Sequence, residues 1–401
     1  MPQLQVPIPS HTRKRYGIGS FMEKKIGWFF KSVAPETIDQ RYRSVGGFTH
    51  GFDYLRLILA AAVVVQHSLR SSYGPAYADV TSWLGWHRAI TAPILLMFFA
   101  LSGFLVAGSL KRRPTATAFM TLRAMRLVPA LAVEVLLSAL ILGPLLTELP
   151  WRAYFSAPEF FKYFQNIYGH IHFRLPGVFV DTPAQEVNIS LWTVPYELEC
   201  YLALLGLWLI GILKRRAFVV AITVAFIAVN TYIAFDTYTV QKTMIGGPAR
   251  ALVAAFLCGL CINLYSDRIK LTIPIAAAML LGMVVSTLQY QTASVAAIFA
   301  AYMVVYLGMT HPPKKSFLLR GDYSYGLYLF AFPIQQTYTH LFPGYRHWYI
   351  NAPFAIILGL MYAYFSWWCV EKPILDRKKQ IVGFTENFAS RLKLIFARQT
   401  A

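Results

Sequence analysis

Residues 52–72 read FDYLRLILAAAVVVQHSLRSS, an apolar run interrupted by Arg56 and His67. The run is long enough to cross a lipid bilayer as a helix, which takes about 17–25 apolar residues. An ionisable side chain inside such a helix is costly and asks for a reason. Arg56 and His67 are 11 residues apart, and on an α-helix that spacing turns about 20° past three full turns and rises about 16 Å. The two side chains are therefore expected on one stripe, at different depths, facing a polar path. Asp53, three residues before Arg56, is placed to pair with it.

The rest of the 401-residue chain repeats the pattern. It is 57% hydrophobic and only 14% charged, against about 25% charged in soluble domains. Apolar stretches suited to crossing a bilayer recur at 51–70, 90–110, 127–147, 190–213, 217–235, 248–265, 271–288, 293–310, 323–341 and 351–370. The expected fold is an all-α integral membrane bundle of about ten transmembrane helices. The first stretch lacks a small-residue cleavage signature and reads as a span, not a signal peptide.

A net charge of +19 raises the question of nucleic acid, but its distribution points to the membrane. With the N-terminus inside and the spans alternating, 28 of the 37 Lys and Arg residues fall on the cytoplasmic side. That bias follows the positive-inside rule and puts both termini in the cytoplasm. No basic stripe is interleaved with stacking aromatics in a soluble domain, so no nucleic-acid partner is expected. The expected division is a basic tail over 1–50, a membrane unit over 51–375 and a second basic tail over 376–401. The segment FMEKKIGWFFKS in the first tail fits an interfacial stretch or a disordered one. The longest outer connection, 148–189, is rich in aromatics and reads as an interfacial helix that caps an opening on the outer face. Cys258 and Cys261 form a C-x-x-C inside FLCGLCINL, where small packing residues are the simpler reading. No metal-ligand constellation is present.

Other residues gather chemistry. FFALSGFLVAGSL, 98–110, brings Ser102, Gly103, Gly108 and Ser109 into the second span, a composition that favours close helix contact. TLRAMRLVPAL puts Arg123 and Arg126 on one face at the cytoplasmic start of the third span, with Lys111 nearby. Such a cluster suits phosphate oxygens or serves topology alone. SLWTVPYELECYL, 190–202, surrounds Glu197 with Trp192, Pro195 and Tyr196. Counted from the outer surface, Glu197 lies about 10 Å deep, at the expected depth of His67. A carboxylate that orients and a histidine that takes a proton form a general-base arrangement. Glu199 points to another face.

Taken together, the Arg-x10-His of Arg56 and His67, FFALSGFLVAGS, RAMRLVPAL, SLWTVPYE, YSYGLYLFAFPI and WWCVEKP resemble the acyltransferase family 3 membrane proteins. The match covers most of 51–375. These proteins acylate cell-envelope carbohydrates, and the resemblance implies catalytic roles for Arg56, His67 and Glu197. It implies donor binding by Arg123 and Arg126, with Lys111 beside them. Trp192, Tyr196, Ser102 and Asp53 complete the expected substrate-contacting set. The chain departs from the family at Ala331, where members often carry a histidine before Phe-Pro. It looks like the stand-alone type, without a fused periplasmic domain. The implied activity is O-acylation, most often O-acetylation, in the bacterial inner membrane. The donor substrate is cytoplasmic acyl-CoA, the acceptor an extracytoplasmic sugar hydroxyl, and no cofactor is held permanently. Direct transfer and an acyl-histidine relay are both open, and Ser102, Tyr196 or backbone N–H groups are the oxyanion donors to weigh. A transporter or flippase with Arg56, His67 and Glu197 as a proton relay is the rival reading.

Overall fold

The computed structural model describes residues 36–399 except 48, 84, 113–114, 242–248, 311 and 313–319, and lacks side-chain placement for a few more, among them Lys111. The amphipathic-tail segment expected around 21–32 lies outside the described residues. The described chain is mostly helical, with two isolated bridges, Thr37–Lys270 and Thr147–Val178, and no strand among the described residues.

Helices of nine residues or more are labelled in order: α1 Gly51–Tyr73, α2 Pro75–Trp83, α3 Arg88–Arg112, α4 Ala116–Leu137, α5 Val194–Leu209 and α6 Arg216–Gln241. Then follow α7 Arg250–Leu264, α8 Ile273–Thr287, α9 Ala293–Gly308, α10 Ser324–Leu341, α11 Trp348–Ser366 and α12 Lys378–Gln399. A helix occupies each of the ten apolar stretches. Five helical segments are long and apolar enough to cross a membrane: Gly51–Tyr73, Gly85–Leu110, Ala116–Leu146, Arg216–Thr237 and Trp348–Asp376. Three more, α7, α8 and α9, are apolar but only 15 or 16 residues long.

Local chemistry sets the boundaries. α1 stops at Gly74, whose φ of 91° an L side chain rarely adopts, and Pro75 opens α2 at once. Thr115 caps α4 by accepting from the Ala118 N–H at 3.2 Å. The third stretch begins eleven residues earlier than the hydropathy indicates, because the helix runs on through the basic segment that holds Arg123 and Arg126. It also continues past residue 137 through a π-helical turn, Ser138–Leu142. A second π-helical turn, Trp367–Glu371, follows α11.

Packing joins α1, α3, α7 and α9 around one apolar core and α1, α10 and α11 around another. α3 and α7 approach most closely: a Cβ on Gly103 would lie 2.0 Å from the Phe256 carbonyl oxygen, and one on Gly259 2.0 Å from that of Ala100. The small residues of the second span thus allow helix contact, as expected. Gly259 also accounts for the C-G-L-C stretch, in which Cys258 is buried and Cys261 contacts the Thr223 hydroxyl at 3.3 Å.

The long connection is part of the fold and not a loose cap. In place of one interfacial helix it forms two short ones, Trp151–Ser156 and Pro158–Tyr163, and a 3-10 turn, Phe164–Tyr168. Tyr154, Tyr163, Phe179 and Val187 are fully buried against Leu131 and Val135 of α4. Burying side chains of this size contributes about 1.5–3 kcal/mol each, which holds the segment down. Its last residues enter the bundle: Asn188, Ser190, Leu191 and Thr193 are all buried. After the 3-10 turn Ile189–Thr193, α5 begins with Pro195 in its first turn.

Candidate active site

Two cavities lie inside the bundle, called inner and outer after the side each is expected to face. The inner one, about 210 Å³, is lined by Arg56, Ser102, Arg123, Arg126, Glu197 and Tyr201 among others. The outer one, about 260 Å³, is lined by Gln66, His67, Arg70, Asp79, Ser82 and Trp192 among others. Leu95 and Tyr328 line both. The helical phase of α1 therefore does what the 11-residue spacing predicts, since one stripe reaches both cavities.

An ion-pair network holds two of the arginines that line the inner cavity. Arg56 pairs with Asp53 at 2.6 Å, as expected, and with Asp322 at 2.8 Å. Arg126 pairs with Asp322 at 2.5 Å and with Glu371 at 2.9 Å. Asp322 also accepts from the Ser324 hydroxyl at 2.5 Å, and Glu371 from that of Ser366 at 3.2 Å. Burial alone would raise the Asp322 carboxyl, but Arg126 and Arg56 hold it well below the usual carboxylate range. The network binds α1, α4, the start of α10 and the end of the α11 π-turn into one unit. Glu371 is available because the π-turn re-aims its side chain, which is only 2% exposed, towards Arg126.

Arg123 differs from Arg126. It forms no ion pair among the described residues, and its Nε is buried without a partner. Its guanidinium lies 5.8 Å from the centre of the Tyr201 ring and donates weakly to the Ser109 hydroxyl at 3.5 Å. It is thus the cation of this cavity whose charge is least spent on structure.

His67 sits in the outer cavity under different restraints. Its Nδ1 lies 3.3 Å from the Ser190 hydroxyl, and its ring meets Phe332 edge-on with centroids 5.5 Å apart. Ser190 is itself fixed: its N–H donates to Asn188 Oδ1 at 3.0 Å and its carbonyl accepts from the Tyr328 hydroxyl at 2.9 Å. Asn188 in turn donates to Glu134 Oε1 at 2.9 Å and to the Leu329 carbonyl at 2.7 Å. Glu134 is fully buried beside the first π-turn, where Ser138 donates to it at 2.9 Å. Arg70 forms a two-pronged pair with Glu186 at 2.7 and 2.8 Å, tying α1 to the long connection. Burial raises the Asp79 carboxyl above its ordinary value against the pull of Arg70, and Glu186 adds to the rise.

The expected His67–Glu197 pair does not form. Glu197 lines the inner cavity, accepts a short hydrogen bond from the Tyr201 hydroxyl and is flanked by Arg126 and Arg123. The depth estimate counted from residue 190 as if it lay at the surface. Residues 188–193 are already buried, and their 3-10 turn carries the chain inward by about 2 Å per residue before α5 starts. Ser102 also lies in the inner cavity, away from the histidine. Trp192 lines the outer cavity, whereas Tyr196 lies in neither lining, with its ring against Trp192 and beneath Arg250. Glu199 pairs with Arg250, on another face from Glu197. The side chain of Lys111 lies outside the described residues. Ala331 is buried between α10 and α11, against Gly359, and faces neither cavity lining. Among the described residues no group of three or more His, Cys, Asp or Glu side chains is placed to hold a metal ion.

Residues from four separated stretches of the sequence thus meet in one network. The family described as Acyltransferase domain matches residues 49–371. The chain belongs to this acyltransferase family. The acyltransferase is 25% identical over 340 residues to a protein of Shigella phage Sf6 named O-acetyl transferase, an alignment covering 81% of this chain and 96% of the phage protein. It is 26% identical over 365 residues to Nodulation protein 10 of Rhizobium leguminosarum bv. viciae, covering 84% and 96% respectively. No solved structure is significantly similar to it.

The acyltransferase carries site residues that sequence reasoning passed over. Glu371 stands inside WWCVEKP and Asp322 immediately precedes YSYGLYLFAFPI, but their partners lie far along the chain. Glu134 left a usable signal, a carboxylate within the apolar run LAVEVLLSAL, which demands a partner; Glu186, in the polar stretch DTPAQEVNIS, left none.

Proposed function

We propose that this enzyme is a membrane O-acyltransferase that moves an acyl group, in the first instance acetyl, from cytoplasmic acyl-CoA to a hydroxyl of an extracytoplasmic carbohydrate. In this reading ten helices cross the bacterial inner membrane and both termini are cytoplasmic. The observation that carries it is the tandem of cavities, with arginines lining one, His67 lining the other, and Leu95 and Tyr328 shared between them. The name of the phage relative, O-acetyl transferase, supports the choice of acetyl and of oxygen as acceptor atom.

Arg123, with Arg126 and Arg56 behind it, receives the donor's phosphates at the inner cavity, since a guanidinium fork matches phosphate oxygens. Lys111 is on the same side of the chain's expected topology. The thin thioester arm passes between Leu95 and Tyr328 to reach His67. With the proton on Nδ1 donated to the Ser190 hydroxyl, Nε2 is the free base. It takes the proton of the acceptor hydroxyl as the oxygen attacks the thioester carbonyl. The carbon–sulfur bond then breaks, and the imidazolium returns the proton to the coenzyme A thiolate. Trp192 supplies an apolar face for the acceptor, while Asp53 holds Arg56 and Glu197 sits with the donor-side arginines.

The test uses the full chain in membranes supplied with radiolabelled acetyl-CoA. Label is expected to enter envelope carbohydrate and to vanish in the His67→Ala protein. Free coenzyme A is expected to raise the melting temperature of the purified protein. Label that never reaches carbohydrate, together with no stabilisation by coenzyme A, overturns the reading in favour of transport.

A further inference from the structure

The inner cavity and the histidine account for the donor and the base, and leave one face of the outer cavity without a role. α2 turns two polar side chains to that cavity, Asp79 and Ser82. They are three residues apart on a helix and share a face. Asp79 forms no hydrogen bond or ion pair with another residue among the described residues; Arg70 and Glu186 act on it only through space. Ser82 is 2% exposed, and its hydroxyl oxygen is buried with no partner. The unpartnered Ser82 hydroxyl is expensive unless something fills it, and the half-buried Asp79 carboxylate beside it is free to accept.

We propose that the Asp79–Ser82 face of α2 is the subsite that reads the acceptor sugar, and that it selects an uncharged ring bearing adjacent hydroxyls. This rests on the acyltransfer reading above. Asp79 accepts from one hydroxyl and Ser82 exchanges a hydrogen bond with its neighbour, beside the position to be acylated. Trp192 and Tyr328, which line the same cavity, offer ring faces to the sugar's C–H groups. The selectivity follows from charge. Arg70 is the cation of this lining, but Glu186 already holds it through both carboxylate oxygens. The unpaired carboxylate that remains is Asp79, so a uronate or phosphorylated ring would bring a second anion beside it in the same cavity.

The probes are p-nitrophenyl β-glucoside and p-nitrophenyl β-glucuronide, which differ at one carboxylate. Each is offered with acetyl-CoA to the full-length protein in detergent. The glucoside is expected to be acylated with a kcat/KM at least about tenfold above the glucuronide. Asp79→Asn should raise the glucoside KM severalfold and shrink that gap, while leaving the KM for acetyl-CoA and the stabilisation by coenzyme A unchanged. Ser82→Ala should raise the glucoside KM without changing the preference. A wild-type protein that takes the glucuronide as well as the glucoside overturns the proposal, as does an Asp79→Asn protein with an unaltered preference. So does a protein that acetylates envelope carbohydrate but neither glycoside, because the subsite then does not take a single hexose ring. If acetyl-CoA is used on no acceptor at all, the acyltransfer reading fails first.

Discussion

The inner and outer cavities share α1, α3 and α10 and use charge in different ways. At the inner end, Arg56 and Arg126 are locked between Asp53, Asp322 and Glu371, and among the described residues Arg123 and Glu197 are left without an ion pair. At the outer end Arg70 is neutralised by Glu186, and the groups left over are a histidine, a carboxylate and a hydroxyl. On the proposed reading the inner cavity takes the anionic donor and the outer one a neutral acceptor and its proton. The difference also separates stability from chemistry. Removing a paired charge exposes its partner, whereas removing an unpaired one loses only what it binds.

That contrast can be broken at five places, and apart from the Glu197 control the effects fall in order of size. His67→Ala should lower the acyl-transfer rate by about 10²–10⁴-fold, the usual range for losing a general base, without changing coenzyme A binding. Glu197→Gln, in the other cavity, should leave the pH profile of kcat in place; a profile altered as by loss of the histidine's partner would restore the pairing that the structure separates. Arg126→Met should cost about 3–5 kcal/mol of stability, because Asp322 and Glu371 would then lie buried without their cation. Thermal unfolding in detergent measures this, and a melting temperature equal to that of the unaltered protein would show the network to be dispensable.

Arg123→Ala should do the reverse, with an unchanged melting temperature and an acetyl-CoA KM raised about tenfold, the worth of a charge-assisted hydrogen bond. A stability loss as large as that of Arg126→Met would erase the distinction between the two arginines. Ser190→Ala should be mildest, lowering kcat by about threefold to tenfold with both KM values unmoved, since one hydrogen bond orienting the ring is lost. Ser190→Thr should restore most of the rate; equal loss in both would assign Ser190 to packing.

The shared position of Tyr328 shows how closely the two ends are coupled. Its hydroxyl donates to the Ser190 carbonyl and lies 2.7 Å from the Thr193 hydroxyl, at the boundary between the cavities. The same hydrogen bonds that fix the residue beside His67 also shape the passage to the arginines. α12 supports the inner end from outside, where Glu386 accepts from the Thr115 hydroxyl at 2.6 Å at the start of α4.

The amino-acid sequence by itself determined the helical class, the common stripe of Arg56 and His67, the Asp53–Arg56 pair and the family. All four follow from short-range periodicity, from i, i+3 spacing or from runs of residues that can be read in place. Only the tertiary structure decided which carboxylate meets which cation. Asp322 lies 266 residues from Arg56 and Glu371 lies 245 residues from Arg126, so no local spacing could pair them. It also decided that Glu197 belongs with the arginines and Ser190 with the histidine. Depth in a bundle depends on where buried, non-α-helical chain begins, and hydropathy cannot mark that point because the 3-10 turn and the helix after it are equally apolar.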